Sequence, residues 1–206
     1  PQGNNPGTFL QNNFATAFPN GLTIGCNNTL KLTSASAVRN FLPNGTTPNV
    51  LPAGNLVNPS KTNFSNVFAG QLVALALNIG FDNAIPSFGS ATDNLRDLEI
   101  ATGPFAGMSV QEFFDAANAK IGGCSSLNKS LSEFNAAADN INKNYDNGVI
   151  KGSFLACTLK ATCNTSAVSC FGGSNGSMRV NAQGGVPPYS YSWSAGGVGN
   201  TSSSNS

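Results

Sequence analysis

Cys170-Phe-Gly-Gly-Ser-Asn-Gly-Ser-Met-Arg-Val-Asn-Ala-Gln-Gly-Gly-Val-Pro-Pro-Tyr-Ser-Tyr-Ser-Trp-Ser194 is punctuated as turn, strand, turn, strand. Asn175-Gly176 is a hairpin-type turn signal, Gly184-Gly185 closes a polar–apolar alternation, and Pro187-Pro188 stiffens the approach to the next run. Tyr189, Tyr191 and Trp193 then alternate with Ser190, Ser192 and Ser194. A period of two puts three aromatics on one strand face and three hydroxyls on the other. Such a stripe more often fills the core of a small sandwich; exposed, it would be a contact surface for a sugar or a protein.

The pattern C-x-G-x-x-N-G-S followed by G-G-x-P-P-Y-x-Y-x-W-S, over residues 170–194, resembles the SprB-type repeat. This is a short immunoglobulin-like module that recurs in very large cell-surface adhesins of gliding and other Bacteroidetes. The resemblance implies a secreted, cell-surface location and the company of adhesins, and leaves the ligand open. A whole immunoglobulin-like sandwich takes about 70–100 residues, more than follow Cys163. Two accounts stand: the chain is cut from a longer protein, the plainer one, or a neighbour donates a strand to an open edge.

Composition points to the same compartment. Charged residues make up 9%, against about 25% in average globular proteins. Histidine is absent, and Asn, Ser, Thr and Gly carry the solubility. A hydrophobic share of 40%, with 14 Phe, is enough for a core, so low charge does not mean disorder. A net charge of +1 with no basic stripe argues against nucleic acid. All nine acids fall between Asp82 and Asp146, which predicts a helical middle flanked by polar ends. Pro1-Gln-Gly-Asn-Asn-Pro-Gly7 has no signal-peptide form, so the expectation is a mature or trimmed secreted product. The apolar run Val67–Ile79 is interrupted by Gly70, Gln71 and Asn78 and is too short for a membrane span.

Along the first part of the chain, residues 1–33 read as loop with short extended pieces at Thr23-Ile24 and Leu30–Thr33. Ser34 caps a helix over Ala35–Leu42, stopped by Pro43-Asn44-Gly45. Asn58-Pro59 reads as the start of the next helix, through Phe64, Val67, Phe68, Gln71, Leu72, Leu75 and Ile79 at helical spacing. Apolar residues on its other face predict a helix buried at the centre of its domain. Residues 80–108 read as loop with one extended piece at Leu98–Ile100. Ser109-Val-Gln-Glu112 is a capping box opening a helix that Gly122-Gly123 ends. Ser126 opens another, with Asn147-Gly148 as its C-cap.

Several segments here resemble an uncharacterised secreted bacterial domain that precedes surface-protein repeats. They include Gly25–Val38, Phe41–Pro48, Ala69–Asp82, Gly103–Val110 and Asn144–Gly148. That resemblance implies location and domain limits and brings no activity. The organisation expected is residues 1–157 as a mainly helical domain, 158–168 as a linker and 169–206 as a partial SprB-like β repeat. The fold class is α+β, a disulfide-braced helical domain followed by a partial immunoglobulin-like module.

Five cysteines stand at 26, 124, 157, 163 and 170. In a secreted chain disulfides are the default. Pairs are expected among Cys26, Cys124, Cys157 and Cys163, with three connectivities open, and Cys170 is the unpaired or inter-chain candidate. Zinc is disfavoured, because no C-x-x-C spacing or histidine completes a site.

Catalysis by a nucleophile–histidine pair has no base to use. Ser126-Leu-Asn-Lys129 has the letters of a Ser–Lys pair and reads better as a cap and a solvated lysine. A glycosidase needs two acids facing a sugar at roughly 5–10 Å; Asp82, Asp93, Asp97, Glu99, Glu112 and Asp115 are the candidates. Glu112 is better explained as a cap and Asp115 as a partner of the helix dipole. Asp93, Asp97 and Glu99 offer oxygen ligands to calcium, without EF-hand order, and read more readily as structural loop residues. The expectation is a protein with no catalytic residues and no cofactor. Its role is structural or adhesive, with other surface proteins, extracellular polysaccharide or copies of itself as partners. The alternative is a carbohydrate-binding or glycoside-hydrolysing module on a repeat stalk.

Overall fold

The computed structural model describes residues 6–88, 93–146, 150–157, 159–184 and 189–191, and divides the chain into two units, residues 1–155 and 156–206. The first unit opens with helix α1 (Pro6–Ala17), where a loop was expected. Pro6 occupies the first helical position, which costs no hydrogen bond. The helix has little periodicity of its own and is held by packing. Leu10 and Phe14 are buried, and Phe9 and Phe18 meet Phe81 at ring-centroid distances of 5.2 and 5.8 Å.

Strands β1 (Leu22–Gly25) and β2 (Thr29–Leu32) pair antiparallel, and β3 (Asn55–Val57) adds to β2 in parallel. The register sets Leu22 opposite Leu32 and Ile24 opposite Leu30, so four buried aliphatics line one face. Between β2 and β3 lies α2 (Ala35–Phe41), capped by Ser34, whose Oγ accepts from Ala37 N at 3.1 Å. Asn58 takes no part in a helix start. It ends β3 with φ +50° and exchanges hydrogen bonds with Thr33, the kind of left-handed position asparagine tolerates.

Helix α3 (Val67–Ala84) begins at the cap Asn66, eight residues after Asn58, and runs five residues past Ile79. Its length and composition are those of a membrane span, yet Phe68, Leu72, Val73, Leu75 and Ile79 are buried in this unit. It packs on α1, β1, α4 (Val110–Ile121) and α5 (Leu131–Lys143). Phe68, Phe105, Phe113 and Phe134 form the aromatic centre, with Phe105 and Phe134 centroids 4.6 Å apart. α4 opens on the Ser109–Glu112 capping box. α5 opens on a second box, Ser130–Glu133, and not at Ser126. The Ser130 box wins because its Glu133 reaches back to the cap N–H at 2.7 Å, satisfying a donor that Ser126 has no such residue to satisfy.

α5 ends at Lys143 with Asn144 as its C-cap; the expected cap Asn147-Gly148 lies outside the described residues. The Asn144 side-chain oxygen accepts from Phe154 N and Leu155 N, both at 3.0 Å. Short strands β5 (Tyr145–Asp146) and β6 (Ile150–Lys151) pair antiparallel. β7 (Leu155–Ala156) pairs with β4 (Glu99–Ile100) where the first unit closes.

Cys26, in the turn between β1 and β2, is disulfide-bonded to Cys124 just after α4. The junction is tight: Gly25 N donates to Asn118 Oδ1 at 2.9 Å and Asn28 N to Gly122 O at 3.1 Å. Gly122 has to be glycine, since a Cβ there would overlap the backbone N and the Sγ of Cys26.

In the second unit β8 (Lys160–Ser166) pairs antiparallel with β9 (Ser177–Gln183). The stretch expected to be a linker, 158–168, therefore holds a full strand. Its Thr and Cys residues suit an extended backbone, while its lack of large apolar residues hides the period of two. The architecture is mixed α and β: five helices with small sheets, and one disulfide among the described residues.

Candidate functional site

The β8–β9 ladder pairs seven residues with seven and is centred on Cys163 opposite Val180. Residues directly opposite share a face. One face therefore carries Ala161, Cys163 and Thr165 with Met178, Val180 and Ala182. The other carries Thr162, Asn164 and Ser166 with Ser177, Arg179 and Asn181. The first face carries no charge, and the second is polar with one arginine. Ala161, Cys163, Thr165 and Met178 are exposed, and Val180 and Ala182 are half-buried.

Residues 167–176 join the strands. Asn175-Gly176 is not a two-residue hairpin turn but the base of this longer loop. The Asn175 side chain accepts from Ser169 N and donates to Ser169 Oγ, both at 3.0 Å, imitating a ladder pair. Inside it Gly173 N bonds Cys170 O, with Gly172 at φ +78°, and Phe171 at the turn is fully exposed. It is the one phenylalanine of the fourteen classed as exposed.

Tyr189 and Tyr191, expected on a strand, are half-buried and lie in irregular chain; Trp193 falls outside the described residues. The Tyr189 hydroxyl donates to Gly184 O. Of the cysteines expected as disulfide partners, Cys26 and Cys124 are joined, whereas Cys157 and Cys163 are free thiols, as is Cys170. A disulfide needs Cα atoms about 4.4–6.8 Å apart, and the β8–β9 ladder sets Cys163 opposite Val180, not opposite another cysteine.

The acids weighed for calcium or hydrolysis are dispersed. Asp97 pairs with its neighbour Arg96 at 3.8 Å in the 3-10 turn Leu95–Asp97, and Asp93 lies just before that turn. Glu99 belongs to β4, next to the bridge its backbone makes with Ser109. Among the described residues no three acids or cysteines gather at metal-binding distance. Asp82 accepts from Leu95 N at 2.6 Å, tying the turn to α3, and Asp115 accepts from Gln111 Nε2 at 2.9 Å. The Ser109 backbone N–H and then its hydroxyl, both bonded to Glu112, hold that carboxyl below its ordinary value. Ser130 does the same for Glu133. Ser126 is exposed, and Lys129 pairs with Glu133 at 3.9 Å.

What sequence reading missed is the strand β8, and with it the apolar face. The alternation of Ala161, Cys163 and Thr165 with Thr162, Asn164 and Ser166 was the available signal.

Residues 162–198 match the family model of the SprB repeat. The repeat so defined includes most of β8, all of β9 and the Tyr189–Tyr191 segment, and starts before Ser169, where it was expected. No curated protein and no solved structure matches the chain.

Proposed function

We propose that this is a non-enzymatic, secreted cell-surface protein with a structural or adhesive role, in which residues 1–155 form a disulfide-braced domain that a SprB repeat follows in the chain. The repeat is the observation that carries the reading, since it is a feature of surface adhesins. The Cys26–Cys124 disulfide supports an oxidising compartment. A surface solubilised by amides and hydroxyls supports it too. The non-enzymatic part draws support from the acids. Asp82, Glu112, Asp115 and Glu133 each hold a backbone or side-chain donor of the fold. The phenylalanines of residues 1–155 turn inward, unlike rings lining a sugar cleft.

The test is protease shaving of intact native cells, followed by a binding assay of the cells on their substratum. The protein should be cleaved from intact cells, and deletion of residues 159–206 should lower attachment. Full protection until lysis would overturn the location. Release of reducing sugar from polysaccharides by the purified chain would overturn the non-enzymatic assignment.

A further inference from the structure

We infer that Asn175-Gly176, at the base of the loop between β8 and β9, is a site of spontaneous self-modification. It converts through a cyclic imide to isoaspartate and aspartate, and the isoaspartate opens the loop that presents Phe171. The inference stands on the loop's own chemistry and does not depend on the surface role proposed above.

The chain holds four Asn-Gly pairs, beginning at Asn20, Asn44, Asn147 and Asn175. Before a glycine, the next backbone nitrogen can close on the asparagine side-chain carbonyl carbon, because no Cβ holds it off. The fold then separates the pairs. Asn44 is buried, accepts from Asn66 N at 2.7 Å and donates to Phe64 O at 2.9 Å, so its carboxamide is fixed away from water. Asn20 is exposed, but the following N–H of Gly21 is engaged by Phe18 O at 2.9 Å. Asn147 lies outside the described residues. Asn175 and Gly176 are both exposed, and the Gly176 N–H has no hydrogen-bond partner among the described residues. The carboxamide of Asn175 is also primed. Its Oδ1 accepts from Ser169 N at 3.0 Å, which stabilises the negative charge that oxygen gains when its carbon is attacked. Its Nδ2 donates to Ser169 Oγ at 3.0 Å, so a hydroxyl stands beside the nitrogen that must leave.

The step needs only water. Gly176 N gives its proton to hydroxide and bonds to Asn175 Cγ. The Cγ–Nδ2 bond breaks, and the nitrogen takes a proton and departs as ammonia, leaving a five-membered imide. Water then opens the ring at one of its two carbonyls. Opening at Cγ gives aspartate; opening at the former backbone carbonyl gives isoaspartate. Nothing is oxidised or reduced. Either product places a carboxylate in residues 147–206, which contain no acid. In isoaspartate the old side-chain carbonyl becomes the backbone link, so both bonds to Ser169 are lost, and the chain gains a methylene next to the Ser166–Ser177 ladder pair. The base that ties the Phe171 loop is then undone.

The test ages the folded full chain in a mildly alkaline buffer, with a second sample held unfolded in urea, and maps peptides by mass spectrometry. Each converted site exchanges one ammonia for one water in mass. In urea, Asn20, Asn44 and Asn175 should convert at comparable rates. Folding should slow Asn20 and Asn44 about tenfold or more and leave Asn175 close to its unfolded rate. G176A should slow conversion at Asn175 about tenfold, since the added Cβ shields the nitrogen. That Cβ meets only the Val168 side chain closely, at 3.1 Å, so the variant keeps the fold. In the aged protein, peptides carrying isoaspartate should show the Ser169 amide hydrogen exchanging several-fold faster than in fresh protein. An Asn175 that slows on folding as much as Asn44 does overturns the inference, and so does Asn20 outpacing it. Conversion at Asn175 with unchanged exchange at Ser169 overturns the opening of the loop.

Discussion

The Asn66 carboxamide accepts from Ala69 N at the start of α3 and from Asn49 N, both at 3.2 Å, and donates to Asn49 O at 2.8 Å. Asn44, also buried, accepts from Asn66 N at 2.7 Å and donates to Phe64 O at 2.9 Å. These two amides do for the α2–α3 connection what a salt-bridge network does in a charged protein, without the desolvation cost of ions. N66A removes a cap and several bonds from a buried site, and should cost about 2–3 kcal/mol in urea unfolding. S109A, at an exposed cap, should cost about 1 kcal/mol. Equal losses would show that the Asn49 bonds contribute nothing. Glu112 and Glu133 give the acid response. Both are held below their ordinary 4.5 in the folded state, so their stabilisation is complete above that value and lost as pH falls through the folded pKa. The E112Q/E133Q double variant keeps a reach-back acceptor but cannot titrate. Its thermal midpoint should lie below wild type at neutral pH and converge with it in acid; a constant gap across pH would refute the assignment.

At the level of elements, what the sequence displayed and what it hid follow from where the stabilising partner lies. Ser34, the Ser109–Glu112 box and the Gly122-Gly123 stop were readable because each cap is satisfied within four residues. α1 was not, since its cause is Phe81 and its neighbours, more than sixty residues on. The start of α3 was misplaced at Asn58 because a cap-plus-proline pair is a local signal that the Thr33 contact overrides. β8 was missed for want of large side chains. Of the calcium candidates, Asp97 lies in the 3-10 turn and Glu99 in β4, and among the described residues no group of three metal-binding side chains gathers. Whether the distant partner is backbone or a side chain predicts how two glycines differ. A Cβ at Gly122 would strike Cys26 backbone, which cannot rotate away, whereas one at Gly80 would strike the far edge of the Phe18 ring, which can. G122A should therefore be the more damaging, about 2–3 kcal/mol or more, and G80A about 1 kcal/mol. Replacing both Cys26 and Cys124 by Ser opens a link of 98 residues' separation and should cost about 2–5 kcal/mol. Chemical denaturation of the three variants ranks them, and G80A falling below G122A would reverse the argument.

For the whole molecule, the decisive fact is where burial stops. The buried apolar residues run from Leu10 to Leu155, and among the described residues beyond Leu155 no apolar side chain is fully buried. Cooperative unfolding follows buried area, so it belongs to the first unit. A chain cut after Ala156 keeps β7 and the Asn144 bonds to Phe154 and Leu155, hence everything that closes that unit. Its calorimetric midpoint should stay within about 4 °C of the full chain, the shift that about 1 kcal/mol produces at this size. F134A, which hollows the cluster of Phe68, Phe105 and Phe113, should cost about 3–5 kcal/mol in either length. If the shortened chain instead lost its cooperative transition, residues 156–206 would have to stabilise the core through bonds that burial does not reveal, and the repeat would be part of the first unit's fold. If the midpoint holds, the repeat is free to act on its own, which an adhesive face that engages other molecules requires.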